Sequence, residues 1–200
     1  MALTESTMMK LGTEAPSFAL TNTDGNLCEL SSFRGSPILV MFICNHCPYV
    51  KHVADELARL GRDYGNRDVG FVAIQSNDVT AYPDDSPEKM KQEVHDRGYP
   101  FPYLYDENQE VAKAYTAACT PDFFLFDADH KLVYRGRLDE TRPTRIRSGV
   151  YDSSGNQAHG AELRSALDLV LSGQKPDQKQ YPSLGCNIKW KPGNEPPYYG

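Results

Sequence analysis

Long apolar runs, an excess of basic charge and a high cysteine density are all missing from this sequence, and each absence removes a class of protein. The longest apolar stretch, Pro37–Cys44, falls far short of the roughly 20 residues that span a bilayer as a helix. Acidic residues outnumber basic ones by 27 to 21, giving a formal charge of −6, whereas nucleic-acid binders usually present a basic face. Five cysteines in 200 residues are too few for a disulfide scaffold. A chain of this length buries about 70% of its unfolded surface without such crosslinks. The N-terminal segment, with Glu5 and Lys10, has no basic stretch leading into an apolar one. The expected setting is cytoplasmic, with neither membrane nor nucleic acid as partner. In that setting a Cys-x-x-Cys is more often redox-active or metal-binding than a structural crosslink.

Apolar (40%) and charged (24%) residues occur in ordinary globular proportions, and the pattern along the chain alternates strand and helix. Residues 15–25 and 27–30 read as a hairpin turning at Asp24-Gly25. Residues 37–43 are almost continuously apolar, as a strand covered on both faces is. From Cys47 to Tyr64, Val50, Val53, Ala54, Leu57, Ala58 and Leu60 fall on one helical stripe, with Pro48 in the first turn where proline is tolerated. Residues 69–76 give a second buried strand, so strand, helix and strand form a right-handed parallel crossover. A polar loop over 77–85 leads to a helix capped by Ser86 and running to about Arg97. A short strand at 103–105, a helix over about 108–117 and a hairpin of 121–126 with 131–135 follow. Residues 141–157 read as an exposed loop and 161–171 as a last helix. These elements divide the chain into an N-terminal extension (1–12), one domain (13–173) and a proline-rich tail (174–200) packed on it. Asp84-Asp85 and Asp106-Glu107 read as loop or cap charges.

The chemistry concentrates at Cys44-Asn45-His46-Cys47, between the end of a buried strand and the first turn of a helix. A cysteine there meets unpaired backbone N–H groups and the positive end of the helix dipole. Both favour thiolate over thiol, and thiolate is the attacking species in disulfide exchange. Two intervening residues let one turn bring the sulfurs within bonding range.

Strand, Cys-Asn-His-Cys, helix, strand and a later Thr120-Pro121 opening a hairpin together resemble the thioredoxin superfamily. The resemblance implies an α/β thioredoxin fold: a mixed central sheet flanked by helices, with an N-terminal hairpin and an irregular C-terminal tail. It also implies a cis Thr120–Pro121 peptide against the cysteines, where Thr120 offers backbone hydrogen bonds to an extended partner segment and Pro121 keeps metal from the sulfurs. Pro16-Ser17-Phe18, the run from Phe42 to Val50, Tyr134-Arg135-Gly136-Arg137 and Gly185-Cys186-Asn187-Ile188-Lys189-Trp190 are similar to bacterial peroxiredoxin-like (AhpC/TSA-like) redoxins. Two departures stand out. Aligned on Cys47, the peroxidatic pattern Pro-x-x-x-Thr/Ser-x-x-Cys has Val40 for its proline and Cys44 for its hydroxyl residue, leaving Arg135 or Arg137 to supply a cation. The strand from Ile38 to Ile43 carries no acid where thioredoxin has a buried carboxylate, so proton transfer falls to His46 or a water.

The expected function is cofactor-free thiol–disulfide exchange with a protein or small-molecule partner, thioredoxin and glutathione among the options. Cys44, as the more exposed sulfur, attacks; Cys47 closes the disulfide. His46 stabilises the thiolate, placing the potential between about −270 mV (thioredoxin) and about −180 mV (protein disulfide isomerase). One alternative is a thiol peroxidase in which peroxide oxidises Cys47 and Cys44 resolves it; another is a non-enzymatic redox-sensing module whose disulfide moves the tail. Cys119, beside Thr120-Pro121, is either a third exchanging thiol or a small buried hydrophobe. Cys186 is either a resolving cysteine brought in by the tail or part of a packing turn anchored by Trp190. Cys44, His46, Cys47 and Cys119 have the composition of a zinc set, but Pro121 beside the motif argues against it and no metal is expected.

Overall fold

Along the strand Ile38–Phe42, Ile38, Val40 and Phe42 face one buried layer while Leu39 and Met41 face another, and all five are essentially inaccessible to solvent. That double burial fixes a sheet with cover on both sides. The structure is a computed structural model describing residues 3–199; Met1 and Ala2 of the expected N-terminal extension and Gly200 of the tail lie outside the described residues.

In chain order the strands and helices are β1 (Leu3–Glu5), β2 (Ala19–Asn22), β3 (Leu27–Glu29), β4 (Ile38–Phe42), α1 (Pro48–Tyr64), β5 (Gly70–Gln75), α2 (Pro87–Arg97), β6 (Tyr103–Tyr105), α3 (Glu110–Ala114), β7 (Cys119–Thr120), β8 (Asp122–Phe126), β9 (Leu132–Gly136), β10 (Thr144–Arg147), β11 (Val150–Asp152), α4 (Ala161–Leu171) and β12 (Leu184–Asn187). The central sheet runs β3-β2-β6-β5-β4-β8-β9. Within it β4, β5 and β6 are parallel, while β2, β8 and β9 pair antiparallel to their neighbours. Leu57 and Leu60 of α1, Met90 of α2 and Leu163 and Leu167 of α4 pack with Leu39 and Met41 on one face. On the other face Val111 and Ala112 of α3 pack with Phe42, Phe124 and Trp190. This is the mixed, helix-flanked thioredoxin fold that the motif order implied. Ser86 caps α2, its Oγ accepting from the Lys89 N–H, and Gly98 ends the helix in the left-handed region that glycine tolerates.

Two segments differ from the sequence reading. Residues 141–157 are exposed but not structureless: β10 and β11 form a two-stranded ribbon whose Tyr151 packs edge-on against Tyr49 of α1. The tail is not irregular throughout. Between Pro182 and Pro192 no proline interrupts the ladder, and β12 there forms the middle of a second sheet, β1-β12-β7. Leu3 of β1 stands opposite Cys186 on one side and Thr120 of β7 stands opposite it on the other.

Candidate active site

β4 delivers Cys44 to the core and α1 begins directly after Cys47, its N-cap. Both cysteines are buried, at 1% and 0% exposure, so neither sulfur stands open to solvent. The side chain of His46 is the part of the motif that reaches solvent, at 14% exposure. Cys44 Sγ lies 3.3 Å from Thr120 Oγ1, and Cys47 Sγ lies 3.2 Å from the Thr120 carbonyl oxygen. The Thr120–Pro121 peptide is cis.

The two sulfurs differ in charge preference. Burial pushes the Cys44 thiol well up, and Cys47 beside it and the Asp85 carboxyl add to that push. Burial acts the same way on Cys47 but is overcome by hydrogen bonds from Cys186, from Cys44 and from the Val50 N–H in the first turn of α1. Cys47 is therefore held well below the usual thiol range, and Cys186 is pushed far up chiefly because it donates to Cys47. Two S–H donors thus favour the thiolate of Cys47, while its thiol form would donate to the Thr120 carbonyl.

The loop itself is held by a residue that the sequence reading set aside as a loop charge. Asp85 is fully buried. Its Oδ1 accepts from the Asn45 N–H (2.8 Å) and the His46 N–H (3.2 Å); its Oδ2 accepts from Asn77 Nδ2 (2.8 Å) and lies 2.6 Å from His46 Nδ1. The His46 ring also stacks on Tyr82, with centroids 5.3 Å apart. Asn45 is fixed separately, donating to the Asp84 carbonyl and accepting from Tyr103 Oη. His46 is thus clamped to Asp85, and the chief groups that lower Cys47 are sulfur and backbone donors. No local signal marked Asp85, because its active-site partners Asn45 and His46 lie about 40 residues upstream and meet it only through the β4–β5 crossover.

Among the described residues, Cys44, His46 and Asp85 place possible metal-ligating atoms within 4.8 Å of one another. Both Asp85 oxygens already accept two N–H groups each, so binding an ion there would undo the clamp. Cys119 is fully buried with its thiol turned toward the Pro121 and Ser183 carbonyls, at 3.6 and 4.0 Å, and burial pushes it well up. It sits as a small buried side chain. The Thr120 edge, offered by resemblance to an extended partner, is occupied by β12 of the chain's own tail. Arg135 is tied to Gln180 and the Met9 carbonyl and Arg137 to Glu162. A cleft of about 180 Å³ opens beside Pro121, lined in part by Tyr49, His52, Thr141 and Tyr181.

Residues 11–135 match the model of the AhpC/TSA family. The chain is similar to the thiol-disulfide oxidoreductase ResA of Bacillus thuringiensis subsp. konkukian (strain 97-27), at 25% identity over 139 residues, 70% of this chain and 76% of that one. A Mycobacterium tuberculosis relative, provisionally named a peroxiredoxin, is 30% identical over 115 residues, 58% of this chain and 69% of that one. The crystal structure of an uncharacterised conserved protein from Geobacillus kaustophilus superposes with a TM-score of 0.89 at 54% identity, covering 96% of this chain and 98% of that one.

Proposed function

We propose, for a chain that belongs to the AhpC/TSA family, that its Cys44–Cys47 dithiol exchanges with the disulfide of a protein or small-thiol partner. At family level the chain is a thiol–disulfide oxidoreductase. The observation that carries the finer reading is the unequal pair: Cys47 favours thiolate while Cys44 favours thiol, with Thr120 touching both. One proton serves the pair. Passed from Cys44 to Cys47, it makes Cys44 the nucleophile, and a nitrogen of the His46 ring lies within 4.8 Å of the Cys44 sulfur. Cys44 attacks one sulfur of the partner disulfide, and the other leaves with the electron pair and takes up a proton. Cys47, deprotonated again, attacks the Cys44 sulfur, expels the second partner thiol and closes the disulfide.

The reaction of the Cys47→Ser variant with glutathione disulfide tests this order. A stable mixed disulfide at Cys44 is expected, because nothing remains at position 47 to expel the second thiol. The second reading, peroxide reduction at Cys47, is favoured by the depressed pKa of that thiol. The cations expected to serve it, Arg135 and Arg137, are paired with Gln180 and Glu162. A sulfenic acid trapped at Cys47 in Cys44→Ser, with no adduct at Cys44 in Cys47→Ser, would give it precedence.

A further inference from the structure

Between them, β7 and β12 bring a third sulfur to the site. Cys186 is opposite Thr120 in the β7–β12 ladder, and Thr120 is the residue that touches both Cys44 and Cys47. Cys186 hydrogen-bonds Cys47 and is buried with it in the same core cluster, at 3% exposure. Its position is set from both sides. β1 pairs with the outer edge of β12, the Ile188 N–H donates to the Ala118 carbonyl, and the Lys189 N–H donates to Asn77 Oδ1, whose amide in turn holds Asp85. The close approach depends on Gly185: a Cβ there would lie 2.0 Å from the Thr120 carbonyl oxygen and 2.7 Å from its carbon. Backbone cannot yield as a flexible side chain would, so any larger residue must push β12 away from β7.

We infer that Cys186 is a third redox-active thiol, which β12 holds in register to exchange into the disulfide at Cys47. The inference rests on the dithiol reading above, because it needs Cys47 to enter a disulfide first. Once Cys44–Cys47 has closed, Cys186 gives up its proton and attacks the Cys47 sulfur. The Cys47–Cys186 bond forms, the Cys44–Cys47 bond breaks, and Cys44 leaves with the electron pair and takes up a proton. No oxidant enters this step; the disulfide moves and the oxidation level stays. Attack falls on Cys47 because that is the sulfur Cys186 contacts. The tail strand is thereby an internal disulfide partner, seated on the edge that would otherwise bind an external one.

Disulfide mapping by mass spectrometry after oxidation of the reduced full-length protein with diamide, which takes up the two electrons and two protons, decides the matter. Wild-type protein is expected to yield both Cys44–Cys47 and Cys47–Cys186 peptides, and Cys44→Ser is expected to yield Cys47–Cys186 alone. Cys44→Ala repeats the test without a buried hydroxyl. In Gly185→Ala the Cys47–Cys186 product should form about 100-fold more slowly, as misplacement by an ångström commonly costs. Closure of Cys44–Cys47 in that variant should persist. If Cys44→Ser and Cys44→Ala keep Cys47 and Cys186 reduced, or join Cys47 only between molecules, the inference is overturned. Failure of the dithiol reading looks different: Cys186→Ser would then form no Cys44–Cys47 disulfide.

Discussion

Alanine at position 85 is expected to destabilise the reduced protein by about 3–5 kcal/mol, the usual cost of removing one partner from a buried polar pair, and to slow disulfide exchange about 100-fold. The carboxyl group accepts from two backbone amides of the active-site loop, from Asn77 and from His46. Asp85 is buried, so water cannot replace it at those donors. Released from Asp85, the loop no longer holds Cys44 against Thr120. The Asp85→Asn variant separates holding from charge. It keeps an acceptor for the Asn45 and His46 amides while removing the negative charge that helps push Cys44 up. Thiolate absorbance should then show Cys44 titrating at lower pH than in wild-type protein, with most of the stability retained. Urea denaturation of both variants provides the other readout; an Asp85→Ala loss below 1 kcal/mol would remove Asp85 from the account.

A second large effect is expected at Asp122, immediately after Pro121. Among the described residues neither carboxyl oxygen has a partner of hydrogen-bond geometry, and burial pushes the group well above the usual carboxylate range, with the Ala118 and Phe123 amides offsetting only part of it. A raised folded-state pKa means that the folded protein keeps a proton the unfolded chain releases. Its contribution to stability is complete below the unfolded value, about pH 3.9, and is lost as pH rises towards the folded value, at about 1.4 kcal/mol for each pH unit crossed. The Asp122→Asn variant has no such titration, so it should gain on wild-type protein steadily from about pH 4 towards neutrality. Groups with depressed values, such as Asp139, bend both curves equally and cancel in the difference. Paired denaturation curves across that range check this, and a constant gap would contradict the burial argument.

Periodicity carried most of the fold. The near-continuous apolar run over residues 37–43, the helical stripe after Pro48 and the serine cap at 86 are local signals, and each element formed where its pattern lay. The tail strand escaped because four strand residues in a proline-rich tail carry too little pattern; pairing to β7 and β1 makes it a strand. At the site, the cysteine pair and the cis Thr120–Pro121 peptide were legible, one from spacing and the other from resemblance. Asp85 was not, since its importance comes from donors brought to it by tertiary packing. That both sulfurs are buried was not legible either, because β12 of the tail pairs along the Thr120 edge beside them.

On the proposed reading, disulfides and not peroxides are the oxidants this dithiol is built to meet. Stopped-flow oxidation of the fully reduced protein by glutathione disulfide and by hydrogen peroxide, followed by mass mapping, compares the two directly. The account predicts ready reaction with the disulfide, closing Cys44–Cys47, and a peroxide reaction no faster than that of an ordinary thiolate. A peroxide reaction orders of magnitude above that rate, with the disulfide reaction slow, would contradict it.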